Sequence, residues 1–69
     1  MFNAKELQVA MIRKGLTYEK VAQLLGVAPS TIYRKIKNDG NFNRDEINRL
    51  IEILELKHPE DIFFAKELT

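Results

Sequence analysis

The chain of 69 residues has no cysteine and no tryptophan, one histidine, two prolines and three glycines. Without cysteine there is no disulfide staple and no thiolate metal site. Such a chain suits a reducing compartment, and the cytoplasm is the expected location. The lone histidine, His58, precedes Pro59 and reads as the border of a last helix. Glu60 and Asp61 follow as an acidic pair, favourable at a helix N-terminus through the dipole. Metal or general-acid chemistry needs convergent partners that this sequence does not supply, so no cofactor, metal or catalysis is expected. Long apolar runs are also missing. The longest, VAMI at 9–12 and IFFA at 62–65, have four residues. A membrane span needs about 20 apolar residues, and a signal-peptide core about 7–15, so neither is expected.

A dominant charge is lacking too, since the formal net charge is +1. Its distribution is more informative. Residues 13–49 carry eight cations and four anions, giving +4, whereas residues 50–69 carry two cations and five anions, giving −3. A polyanion is therefore expected to meet the middle of the chain. Hydrophobic residues make up 45%, enough for a folded core and against wholesale disorder. The length allows one small domain, 1–69, burying only about 60% of the surface that the unfolded chain exposes.

The helix starts are legible. FNAKEL at 2–7 and FNRDEI at 42–47 share the form Phe-Asn-x-x-Glu-aliphatic. Asn3 and Asn43 are expected N-caps, with Glu6 and Glu46 completing capping boxes. Phe2 and Phe42, one residue before each cap, are expected to staple onto Leu7 and Ile47. A first helix is predicted over about 4–14, ending at Gly15, with Ala4, Leu7, Ala10 and Met11 as its apolar stripe. Thr17 caps a second helix over about 18–25, with Val21, Leu24 and Leu25 inward, and Gly26 ends it. Pro29 suits the first position of a third helix, where its missing N–H costs nothing. Asp39-Gly40 ends that helix. A fourth, about 44–55, carries Ile47, Leu50, Ile51 and Leu54 inward, with Arg49 outside as a solvated charge. Pro59 opens a short fifth helix over about 59–66. With no strand alternation, the fold class is all-α, five short helices.

The third helix, PSTIYRKIK, is the polar one. At about 100° per residue, Ile32, Ile36 and Pro29 share one side, while Ser30, Arg34 and Lys37 lie opposite, with Thr31 and Tyr33 flanking. A major groove admits one such helix, and an arginine can grip guanine through O6 and N7. Lys35 and Lys37, further along, are placed for phosphate. Any surface helix has a polar outer face, so the context matters. Ala22 stands four residues before Gly26, where a small side chain lets two helices cross closely. Val27 follows the glycine as an apolar plug, and Ile32 comes six residues after it. That spacing predicts a helix-turn-helix over about 17–37.

The segment LTYEKVAQLLGVAPSTIYRKI resembles the helix-turn-helix of the lambda-repressor and Cro-type family of phage transcriptional regulators. Downstream, NDGNFNRDEINRLIEILELKHPEDIFFAKEL is similar to small Cro-like repressors of phages from Gram-positive bacteria. The likeness covers nearly the whole chain. It implies a lambda-repressor-like DNA-binding domain that acts as a transcriptional regulator on a double-stranded operator, in the cytoplasm of a bacterial host. By resemblance, Ser30, Thr31, Tyr33 and Arg34 would read bases, and Thr17, Tyr18, Asn43 and Arg44 would grip phosphates. Tyr18 departs from the family, where glutamine is common, but its hydroxyl still donates. Pro29 stands where many members have a hydrogen-bond donor, which shifts readout onto Ser30 and Arg34. Lys35 occupies a position often apolar in the family, and Ile36 supplies that contact.

Two readings of the C-terminal apolar residues stay open. Phe63, Phe64 and Leu68 either close the core under the first helix or present a surface to a partner, a second copy on a two-fold operator being one such partner. The functional alternative is a protein-interaction module, with a helix-turn-helix fold that binds and modulates another phage regulator.

Overall fold

Local start and stop signals set the architecture. The computed structural model describes residues 2–63, and among these there are five helices and no strand. They are α1 (Ala4–Lys14), α2 (Tyr18–Leu25), α3 (Pro29–Lys37), α4 (Arg44–Leu54) and α5 (Glu60–Phe63). Asn3, Thr17 and Asn43 each cap a helix, their side-chain oxygens accepting from the backbone N–H of Glu6, Lys20 and Glu46. At Asn43 the capping box is complete, because Glu46 Oε1 accepts the Asn43 N–H at 2.9 Å. Such caps are worth about 0.5–2 kcal/mol each.

The first box is not closed in this way. The Asn3 N–H donates instead to the Ile62 carbonyl of α5 at 2.6 Å, so the start of α1 is latched to α5. Phe2, expected to staple onto Leu7, meets two other aromatic rings. Its ring lies 5.9 Å from Phe42 and 6.0 Å from Phe63, and those two are 6.2 Å apart. Three phenylalanines from the N-terminus, the α3–α4 loop and α5 thus form one aromatic triangle. Gly40 makes room for it: a Cβ there would stand 2.2 Å from Phe2 Cγ, and the backbone is left-handed (φ 68°).

The core gathers Leu7, Ala10 and Met11 of α1, Val21 and Ala22 of α2, Ile32 of α3, Phe42 of the α3–α4 loop, Leu50 and Leu54 of α4, and Ile62 and Phe63 of α5. Phe63 therefore closes the core beside Ile62, as the first reading expected of it; Phe64 and Leu68, the other two residues of that reading, lie outside the described residues. Two inward assignments fail. Leu24 is 37% exposed, because α2 turns its Ala22 side, fully buried, into the crossing with α3 and α4. Pro29 is exposed, and the fully buried contact of α3 begins only at Ile32, three residues on. Arg49 is also not a free charge. Its Nη2 donates to the Leu24 carbonyl at 2.7 Å, capping the C-terminus of α2 from α4. Glu55 ends α4 with φ 51°, a place usually taken by glycine. Its carboxylate pairs with the Lys14 ammonium across to α1.

Candidate nucleic-acid interface

The turn between α2 and α3 spans three residues, 26–28. Gly26 takes φ 80°, and the Val27 N–H donates to the Ala22 carbonyl at 3.0 Å, closing α2 and folding Val27 back against the core. Ala22 has no exposed surface, which lets α3 cross closely above it. Ile32, 1% exposed, then anchors α3, with Ile36 packed beside it. Burial of one such isoleucine contributes about 1.5–3 kcal/mol. With α3 held along this side, Ser30, Arg34 and Lys37 are exposed on the other.

Each flank of α3 is tied to a neighbouring helix N-terminus. On one side the Tyr33 ring meets the Tyr18 ring edge-on, 5.0 Å between centroids. Tyr18 is the first residue of α2, next to its cap Thr17. Gln8 of α1 donates to the Tyr18 hydroxyl at 2.8 Å, which leaves the hydroxyl's own proton to donate outwards. On the other side, roughly 160° around the helix from Tyr33, Lys35 reaches the N-terminus of α4. Its ammonium donates to Glu46 Oε1 at 3.0 Å and to the Asn41 carbonyl at 3.2 Å. The polar face of α3 is thereby framed by the N-terminal turns of α2 and α4, whose amide ends favour anions.

The expected base-reading residues divide accordingly. Ser30 and Arg34 face outward, Tyr33 is about half exposed against Tyr18, and Thr31 is partly buried on the Lys35 flank. Among the expected phosphate ligands, Thr17, Asn43 and Arg44 are exposed at the two flanking helix starts, and Tyr18 is partly buried beside Thr17. Lys37 is exposed at the far end of α3. Among the described residues, Arg34, Lys37 and Arg44 have no acidic partner within salt-bridge distance, in contrast to Lys14 and Lys35. Lys35 stands apart, its side chain only 20% exposed and turned into the α3–α4 loop. Gln8, Arg49 and Glu46 support this frame from outside the helix-turn-helix. Gln8 and Arg49 carry no signal in a single sequence, since each acts across a tertiary contact. Glu46 is visible in the sequence only as a capping residue.

No described helix is long and apolar enough to cross a membrane, and no group of three His, Cys, Asp or Glu side chains converges among the described residues. A three-residue turn over a buried alanine, and a polar, unpaired helix face framed by two capped N-termini, define a DNA-binding helix-turn-helix domain of the Xre/Cro type. The chain belongs to the antitoxin Xre-like helix-turn-helix domain family, whose model matches residues 9–55. No curated protein and no solved structure matches it.

Proposed function

We propose that the protein is a sequence-specific transcriptional repressor of the Cro-like phage or prophage type, acting in the cytoplasm of a bacterial host. α3 enters the major groove of an operator, and polymerase is excluded sterically, without catalysis. Arg34 grips guanine; Ser30, Thr31 and Tyr33 complete the base contacts. Thr17 and Tyr18 on one flank, and Asn43 and Arg44 on the other, hold phosphates, with Lys37 further along. The observation that carries this is the outward set of unpaired cations, Arg34, Lys37 and Arg44, on and beside a helix whose opposite side is locked by Ile32. Operators with two-fold symmetry need two recognition helices about one helical turn apart, so two chains share a full site.

The rival, a module that binds another regulator, draws support from Ile12, which is 77% exposed on α1. Selection of bound duplexes from a random pool separates the two. A DNA regulator enriches a defined motif and loses affinity steeply with salt. An interaction module returns a pool indistinguishable from the input.

A further inference from the structure

Lys35 is the cation that the phosphate assignment fits least. An ammonium has three N–H donors. Here one goes to Glu46 Oε1 and one to the Asn41 carbonyl, and the Phe42 ring lies 5.9 Å away, within cation–π range. The backbone of the same residue is engaged as well: the Lys35 carbonyl accepts from the N–H groups of Gly40, at 2.9 Å, and Asn41, at 3.2 Å. One residue of the recognition helix thus contacts the α3–α4 loop at four points and the first turn of α4 at a fifth.

The Glu46 side is equally specific. Its Oε1 accepts from Lys35 Nζ at 3.0 Å and from the Asn43 N–H at 2.9 Å, while the Glu46 N–H donates to Asn43 Oδ1 at 2.8 Å. The capping box of α4 and the ion pair to α3 therefore share one oxygen. Both side chains are mostly buried, with 20% and 15% of their surface exposed, so solvent screens the pair less than a surface bridge. Arg44, the exposed cation next to the cap, rides on this unit.

Resting on the DNA-binding reading above, we propose that Lys35 is a positioning residue: it fixes the N-terminus of α4 against the recognition helix through Glu46, so that Asn43 and Arg44 meet phosphate while α3 reads bases, and it is not itself a phosphate ligand. Electrostatics alone predicts the opposite for its partner. If Glu46 only added a negative charge near DNA, removing it would tighten binding. If it is half of a clamp, removing it weakens binding despite the gain in positive charge.

The test uses the full chain with the duplex selected from random DNA, and the variants Lys35→Met, Glu46→Ala and the double variant. Folding is first verified by thermal melts, and binding is measured over a range of salt below the lowest melt. The clamp predicts that each single variant loses roughly tenfold in affinity, the scale of a lost cap. It also predicts an unchanged salt slope for Lys35→Met and a double variant no weaker than the worse single. A Lys35→Met slope reduced by about one, as for a lost phosphate contact, would overturn it, as would tighter binding by Glu46→Ala. Hydrogen exchange in the free protein keeps the idea testable apart from DNA: the Asn43 amide should exchange faster in Lys35→Met, or in Lys35→Gln if the methionine variant does not fold. An unchanged rate would refute the clamp itself. A wild-type chain that selects no DNA refutes the function first, before any variant is made.

Discussion

Gly40 and Gly26 have similar left-handed backbones but opposite surroundings. At Gly26 an added methyl meets nothing within 4 Å, whereas at Gly40 it would clash with the Phe2 side chain, 2.2 Å from Cγ. Gly26→Ala should therefore cost only the backbone term, about 1–2 kcal/mol. Gly40→Ala should cost more, at least about 2 kcal/mol, because the aromatic triangle must also give way. Chemical denaturation of both variants checks this, and equal losses would show that Phe2 moves aside freely. Glu55 makes a second prediction. The Lys14 ammonium holds its carboxyl below the ordinary carboxylate range, chiefly by hydrogen bonding and then by charge. A lowered folded-state pKa contributes stability above the unfolded pKa and loses it as pH falls through the folded one. Glu55→Gln should therefore flatten the acid limb of the stability–pH curve and leave its shape near neutrality unchanged. An acid limb identical to wild type would mean that the pair contributes nothing to folding, a common outcome for exposed ion pairs.

At the scale of the element, the helices were largely legible because their punctuation is local. Asn3, Thr17 and Asn43 cap where the sequence places them, and the predicted limits of the first four helices match the observed ones to within a residue. What stayed illegible lies across tertiary contacts. Periodicity puts Leu24 on the inner side of α2, but an alanine decides how closely α3 can cross, and that crossing rotates Leu24 outward. Arg49 reads as a solvated charge because its partner is a backbone carbonyl 25 residues away. The contact between Lys35 and Glu46 is hidden in the same way, because only the fold brings the two side chains together. The candidate interface was legible in the same measure: the outward Ser30 and Arg34 follow from the helical wheel, whereas the contacts that tie Tyr33 to Tyr18 and Lys35 to Glu46 do not. Arg49→Ala should remove the cap from the α2 C-terminus and its favourable charge there, at a cost of roughly 1 kcal/mol. Faster hydrogen exchange confined to the last turn of α2 is the expected signature. Protection equal to wild type would return Arg49 to the solvent.

At the scale of the molecule, α5 is short but central. Ile62 is 4% exposed and Phe63 7%, and the Ile62 carbonyl receives the Asn3 N–H. Phe63 also completes the triangle that holds Phe42, directly before the Asn43 cap. Removing residues 62–69 should cost about 1.5–3 kcal/mol for each of these two side chains. A small domain holds only about 5–15 kcal/mol in all. The truncated chain should melt far below the intact one and lose the ordering of the α3–α4 loop. A truncated chain that melts like the intact one would show that the tail serves only a partner.

The central claim is that α3 reads bases through its outward face, and Arg34 tests it most directly. The measurement is the affinity of wild type and Arg34→Ala for the selected operator and for a scrambled duplex, at one fixed salt concentration. A bidentate base contact predicts a loss of roughly 1–3 kcal/mol on the operator and little change on the scrambled duplex. An equal loss on both would make Arg34 a phosphate ligand and contradict the docking of α3 proposed for this domain.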